Sequence, residues 1–436
     1  MKGLAGLSVL LLALTAAALA DLWPWPAAEG LAACWSGIRF LLAASVAVYF
    51  LAVRLVLRQA PARRAIWIVL AVAAAMRVPM LFAPPIMSSD VYRYVWDGRV
   101  QEAGLNPYVY IPVDPALAAL RDEAIFPHIN RREYAHTIYA PAAQIVFAAV
   151  ARIHQSVFAE KLAMAAFEVL TIWCAMRLLA LAGLPLERVL IYAWNPLAVW
   201  SFAMDAHVDA VGIGLLAVAL LLRCRLRDGW AGSLLGAAAL VKFLPLAVGP
   251  ALWRRGGGWG LATGTIVAIV GLYACYAGAG RHVLGFLSGY GGEEGLSDGS
   301  GIWLLAGLAH LTPLPPFAVK VYGATVLMLL GALALFYMSR PGTPDTREVC
   351  RRAAILAACA TAAISPHYSW YFPWLALPAT VAANRTAIWL SAAPVLLLFN
   401  PFNDWFVWPS LIYLPAILLA VIALKTEGIS RCPQRP

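Results

Sequence analysis

Between Ser88 and Tyr108 the chain reads SSDVYRYVWDGRVQEAGLNPY, dense in acids, arginines and aromatics directly after an apolar run that ends at Phe82-Ala83-Pro84-Pro85. Ser88 or Ser89 can cap a helix that starts near Asp90, and Gly104 can end it after Glu102. On that helix Asp90, Tyr94 and Asp97 stand at i, i+4 and i+7 and share a face, and Arg93 precedes Asp97 by four. The company of Arg93, Tyr94 and Asp97 makes Asp90 a candidate functional carboxylate. It is also a residue that the helix macrodipole favours in any first turn.

Three further groups carry chemistry. Asp205-Ala206-His207-Val208-Asp209 alternates acid, imidazole and acid, and could orient a polar substrate or, through Asp205 and Asp209, ligate a divalent cation. Two carboxylates and a histidine do not by themselves define a metal site, and a hydrated turn would read the same. Lys242 interrupts an apolar segment just before Pro245, where a fixed cation would suit an anionic lipid headgroup and a snorkelling lysine is the plainer reading. Ser365-Pro366-His367-Tyr368-Ser369-Trp370-Tyr371 offers His367, Tyr368 and Tyr371 to complete such a pocket, whereas Trp370 and Trp374 also suit an interfacial aromatic belt. The seven cysteines are scattered singly and read as packing residues.

The elements that must position these groups follow from composition. With 62% hydrophobic and 12% charged residues in 436 and a mean hydropathy of +0.77, the chain cannot bury its apolar surface inside a soluble globule. It reads as an all-α polytopic integral membrane protein. The net charge of +10 comes from short arginine clusters between apolar spans, which serve as topology signals and exclude a nucleic-acid face. Those clusters are Arg54, Arg58, Arg63 and Arg64; Arg223, Arg225 and Arg227; Arg254 and Arg255; and Arg340, Arg347, Arg351 and Arg352.

Apolar spans are predicted near 4–20, 31–57, 65–83, 161–182, 189–203, 208–224, 258–277 and 317–338, with shorter ones near 353–364, 371–383, 386–400 and 405–424. The segment 230–253 divides at Lys242, and 140–152 lies as an interfacial or re-entrant helix. This gives roughly 12 to 14 crossings by the usual length criterion, with both termini cytoplasmic. Residues 1–20 have the layout of a first helix or of a secretory signal; either leaves 21–30 outside. Holding the arginines inside places 84–140, the 204–209 turn, 278–300, 365–371 and 400–404 on the opposite face. Three units result: an N-terminal helix pair over 1–64, a central module over 65–277 that includes the external loop 84–140, and 278–436 with the loop 278–300 and the last helices.

Taken in order, these motifs resemble the GT-C superfamily of membrane glycosyltransferases that use polyprenyl-phosphate-linked sugars, and especially the bacterial α-mannosyltransferase-like branch. The residues that carry the resemblance are the 88–108 stretch, Tyr139-Ala140-Pro141, Trp194-Asn195-Pro196-Leu197 before the 205–209 turn, Lys242-Phe243-Leu244-Pro245, and Pro366-His367-Tyr368 with Trp370-Tyr371. The resemblance implies a GT-C-like helical bundle whose large first external loop carries short amphipathic helices. It also implies an inverting transfer of a hexose, here mannose, from a polyprenyl-phosphate donor to a glycan or lipid-linked acceptor. The protein would sit in a bacterial-type inner or plasma membrane with its active site on the extracytoplasmic face. Asp90 is then the general base, and Arg93, Tyr94, Asp97, Asp205, His207, Asp209, Lys242, His367, Tyr368 and Tyr371 bind substrate. No cofactor is required, because fixed cations can hold a departing lipid monophosphate.

Two departures stand out. The family loop commonly carries two aspartates where this chain has Ser89-Asp90, and Gly289-Tyr290-Gly291-Gly292-Glu293-Glu294-Gly295 is richer in glycine than the family's aromatic-asparagine loop. A flippase or transporter of a lipid-linked saccharide is the alternative, and would place its site near the bilayer midplane. A glycan polymerase or ligase would place it on a large late loop, whereas here the longest external loop is early.

Overall fold

The structure, a computed structural model, describes residues 2–22, 28–59, 64–340, 345–400 and 404–430. Arg63 and parts of the predicted outer segments at 21–30 and 400–404 lie outside them. Among the described residues all regular structure is helical. By length and composition, five helices among the described residues can cross a membrane: Lys2–Asp21, Gly37–Arg58 within a longer helix, Val157–Leu181, Ala318–Ser339 and Val407–Thr426. Counting each of two sharply bent pairs as one span raises the number to seven. The protein is a polytopic all-helical membrane protein. The larger number of crossings expected from apolar runs differs because several runs are built as short pieces, such as Ala65–Met80, Pro141–Ile153 and Arg385–Phe399.

We name Lys2–Asp21 α1, Ala28–Arg58 α2, Ala65–Met80 α3, Asp90–Glu102 α4, Pro141–Ile153 α5 and Val157–Leu181 α6. α1 packs into the bundle through Leu4, Leu11 and Ala18, with Ser8 and Thr15 donating back to their own helix carbonyls. α3 and α6 are joined by a buried ion pair, Arg77 to Glu168 at 2.7 Å, and Arg77 also donates to the Ala193 carbonyl at 2.7 Å. Inside an apolar bundle such charges persist only when paired.

The predicted span 189–203 is not one helix. Asn195 turns its side chain onto the amides of Leu197 and Ala198, capping a new start. A π-helical turn then covers Val199–Met204 and the chain bends by 118° into the helix Asp209–Cys224. Pro196 lacks the N–H needed to continue the preceding helix, so the break is written into the Trp194-Asn195-Pro196 step. The division at Lys242 is as read: Asp228–Ala239 ends there, and Leu244–Val248 and Gly249–Leu252 lead back to Arg254, which pairs with Asp228.

Helix Asp228–Ala239 crosses Gly258–Ala274 at backbone distance. Gly232 and Gly236 face Leu261 and Thr265, Gly264 faces the Gly229 carbonyl, and Thr265 donates to the Gly232 carbonyl at 3.1 Å. Glycines four apart on both helices permit this approach. An apolar cavity of ≈ 270 Å³ opens beside the pair, lined by Leu235, Leu246, Trp253, Leu261 and Met338.

Three of the arginine clusters, those at 223–227, 254–255 and 340–352, are tied together around the Arg223 end of the Asp209–Cys224 helix. Arg223 donates to the Leu252 carbonyl and lies 3.8 Å from Asp228, Arg255 reaches the Ser339 carbonyl, and Arg352 bonds Glu348 and the Tyr337 carbonyl. Asp209 opens the helix that Arg223 nearly closes, so at 1.5 Å per residue about 20 Å separates this end from the Asp209 end.

α4 has the limits that its caps dictate. Ser88 Oγ accepts from the Asp90 amide at 3.1 Å, and Gly104, at φ +75°, closes the other end, with Leu105 N–H to Val100 O and Gly104 N–H to Gln101 O. That pairing is a Schellman end. The loop behind it folds back: Leu117, Ile125 and Ile129 bury themselves on Val95, Trp96 and Val100. Each such side chain contributes about 1.5–3 kcal/mol against chain entropy. Many of its charges form bonds rather than a solvated face, since Arg99 pairs with Asp122 and Arg121 holds the carbonyls of Val113 and Asp114.

Candidate active site

The segment that delivers Asp90 is pinned from two helices. Lys161, buried in α6, donates to the carbonyls of Met80 and Ala83, which close α3. Asp205 accepts from the amides of Ile86 at 2.7 Å and Met87 at 3.0 Å. Both Asp205 oxygens are thereby committed to holding the 84–89 turn, which fixes where α4 begins.

Asp90 then faces the 205–209 turn. Its Oδ1 accepts from Asn130 Nδ2 at 2.7 Å, and its Oδ2 lies 3.8 Å from His207 Nδ1. The turn is tight: Ala206 takes a left-handed φ of +55°, and the Val208 amide is 3.5 Å from the Tyr94 hydroxyl. A residue with a Cβ in that region is a local cost that surrounding contacts must hold in place. His207 is buried with both ring nitrogens unpartnered, and Asp209 Oδ2 is likewise buried without a partner. Unsatisfied polar atoms are expensive in a protein interior, and their concentration beside Asp90 marks where a polar ligand would repay the cost.

Lys242 completes the cluster. Its ammonium is 2.8 Å from Asp209 Oδ1 and 3.5 Å from the centre of the Tyr371 ring. An ammonium has three protons; one is used by the carboxylate and the ring face attracts the charge as a whole. Tyr371 in turn meets the Tyr290 hydroxyl at 3.0 Å.

The remaining predicted residues are distributed as follows. Arg93 and Asp97 pair with each other at 2.7 Å, and Asp97 also accepts from Thr137 at 2.5 Å and Gln144 at 2.7 Å. They join α4 to α5 and the end of the loop, two helical turns along α4 from Asp90, and their polar atoms are taken up there. Tyr94 is buried, stacked on Phe147. His367 has both ring nitrogens engaged, by Glu294 at 3.0 Å and the Gly301 carbonyl at 2.7 Å, and lies flat on Trp405. Tyr368 donates to Glu294 at 3.0 Å. Burial first, and the Glu294 carboxylate second, push its phenol up to about 12, so it stays a donor. Trp370 is no belt residue: it is sandwiched between His207, 4.1 Å away, and Tyr368, 4.5 Å away.

Sequence reasoning missed Asn130, Glu293, Glu294 and Tyr290 as parts of this arrangement. The two glutamates were visible as the acids of the glycine-rich 289–295 loop; their partners, Arg131 and Tyr134 for Glu293, His367 and Tyr368 for Glu294, were not. The 136 position is electrostatically tuned as well. Burial, then His282 and Arg93, hold the His136 imidazole below its ordinary range. Among the described residues no three of the types His, Cys, Asp and Glu converge as a metal-binding set.

Residues 2–254 match a family described as alpha-(1->6)-mannopyranosyltransferase, N-terminal domain (MptA_B family). The chain belongs to this mannosyltransferase family. The match spans more than half of the 436 residues and contains Asp90, the 205–209 turn and Lys242, while His367, Tyr368 and Tyr371 lie beyond it. No curated protein and no solved structure matches the chain. As a member of a mannosyltransferase family the protein is a glycosyltransferase, with a sugar donor and a glycan acceptor as its substrates.

Proposed function

We propose that this mannosyltransferase takes its sugar from a polyprenyl-phosphate donor at the extracytoplasmic face and transfers it with inversion to a hydroxyl of a glycan or lipid-linked acceptor. The observation that carries the reading is the convergence of Asp90, His207, Asp209 and Lys242 at the end of the Asp209–Cys224 helix opposite Arg223 and the arginine clusters joined to it. The acceptor oxygen attacks C1 of the mannosyl group while the C1–O bond to phosphate breaks, and that electron pair leaves on the phosphate oxygen. The acceptor proton passes to Asp90 Oδ2. Lys242, keeping one proton on Asp209 and resting on Tyr371, turns its remaining protons to the phosphate as its charge grows, a contribution of a few kcal/mol.

His207 and the free Asp209 Oδ2 are placed to bond sugar hydroxyls, which would relieve their buried, unpartnered state. Asp205 and Tyr94 set the turn, Arg93 and Asp97 hold α4 on α5, and His367 and Tyr368 brace the site through Glu294. A divalent ion is not needed in this scheme. Asp205 has both oxygens committed to amides and Asp209 gives one of its two to Lys242, so in this reading the lysine, not a metal, answers the phosphate charge.

The test is mannosyl transfer by the purified protein from polyprenyl-phosphate mannose to a panel of glycan and lipid acceptors, wild type beside Asp90→Asn. Loss of the base should lower kcat by about 10²–10⁴ with the protein still folded. Turnover by Asp90→Asn at the wild-type rate would refute Asp90 as base. Silence of the wild type, joined with headgroup-dependent lipid translocation in liposomes, would replace transfer by flipping.

A further inference from the structure

A carboxylate that acts as a base has two chemically equivalent oxygens, and something must decide which one meets the substrate. Here Asn130 Nδ2 occupies Asp90 Oδ1 at 2.7 Å, leaving Oδ2 as the oxygen toward the 205–209 turn, 3.8 Å from His207 Nδ1. Asn130 is itself held on both sides. Ile129, 4% exposed, is sunk into the apolar cluster under α4. Arg131 takes a left-handed φ of +53°, uncommon for a residue with a Cβ, and its guanidinium reaches Glu293 at 2.5 Å. Tyr134 donates to the other Glu293 oxygen at 2.9 Å.

Glu293 ends the short helix Leu287–Glu293, whose Tyr290 hydroxyl meets Tyr371 beneath Lys242. One small element therefore touches both halves of the site: the base through Arg131 and Asn130, and the cation through Tyr290 and Tyr371.

We propose that Asn130 is a positioning residue that selects the reactive oxygen of Asp90, and that the Arg131–Glu293 pair anchors it to the helix bracing Lys242. The proposal rests on the reading of Asp90 as the base. It treats the loop residues 130–131 as working parts of the site rather than a solvated surface. A hydrogen bond that fixes one carboxylate oxygen leaves the other in a defined attack geometry, and small misplacements of such groups cost large rate factors.

The experiment is a cycle of Asn130→Ala in the wild type and in Asp90→Asn, reading kcat and both KM values for transfer from polyprenyl-phosphate mannose. Asn130→Ala should lower kcat roughly tenfold to hundredfold with donor and acceptor KM little changed. It should lower the residual rate of Asp90→Asn not at all, because no base remains to be oriented. Glu293→Gln should show the same pattern with a smaller loss, and takes the place of Asn130→Ala if that variant lacks a melting transition. An equal loss in both backgrounds, or a change confined to KM, would overturn the proposal and make Asn130 a folding contact. Asp90→Asn at the wild-type rate would instead remove the base reading, and with it any role for Asn130 in orienting a base.

Discussion

Replacing Lys242 by alanine should separate its role in stability from its role in transfer. Two unit charges 2.8 Å apart in surroundings of effective permittivity about 20 attract by about 6 kcal/mol. Desolvating both returns most of that. Breaking a buried pair from one side costs about 3–5 kcal/mol because the other charge is stranded. The Lys242 and Asp209 side chains are 20% and 10% exposed, so we expect a smaller loss, about 2 kcal/mol. In Lys242→Ala/Asp209→Ala no charge is stranded, and most of the lost stability should return. Transfer should not return with it. If the ammonium stabilises the departing phosphate, its removal costs about 10² in kcat, or about 2.7 kcal/mol. Melting in detergent and steady-state transfer at varied donor and acceptor read the two effects. A double variant less stable than Lys242→Ala would refute the stranded-charge reasoning. Lys242→Ala with wild-type kcat and donor KM, or with a defect confined to the acceptor, would refute the phosphate role.

Asp97→Asn keeps the shape of the α4–α5 junction but leaves Arg93 buried without its counter-charge, so melting should show a loss of about 3 kcal/mol; an unchanged midpoint would mean that Thr137 and Gln144 alone hold the junction. Gly232→Leu should disrupt the crossing of Asp228–Ala239 over Gly258–Ala274, since even a Cβ there overlaps the Leu261 carbonyl, and a folded variant with wild-type stability would contradict that close approach. For His136 the folded value lies below the ordinary one, so as pH falls below about 6.5 the unfolded chain binds a proton that the folded chain resists, and stability declines. His136→Gln should flatten the fall in melting temperature between neutral and mildly acidic buffer, and an identical slope would show that another group titrates.

What the residues disclose in advance depends on how far apart in the chain the deciding partners lie. α4 is legible almost to its last residue because Ser88 and Gly104 act on their own neighbours, and the Arg93–Asp97 pair is legible because helical spacing alone brings them together. The break at Lys242 can be read from Lys242 and Pro245 for the same local reason. Membership of the chemistry is harder. Asp97 and Asp90 share a helix face, yet Asp97 is drawn into α5 by Thr137 and Gln144 across the fold. His367 has the right type for a phosphate site but is consumed by Glu294 and Gly301, more than sixty residues away. Spacing along one helix identifies which residues could act together; the long-range partners decide which still have a free atom. Around Asp90 the atoms left free are one Asp90 oxygen, one Asp209 oxygen and the His207 nitrogens, and their meeting at one turn singles out the site in a way that no motif does. It also explains why Asn130 escaped notice: its significance lies in the Asp90 oxygen it takes out of play.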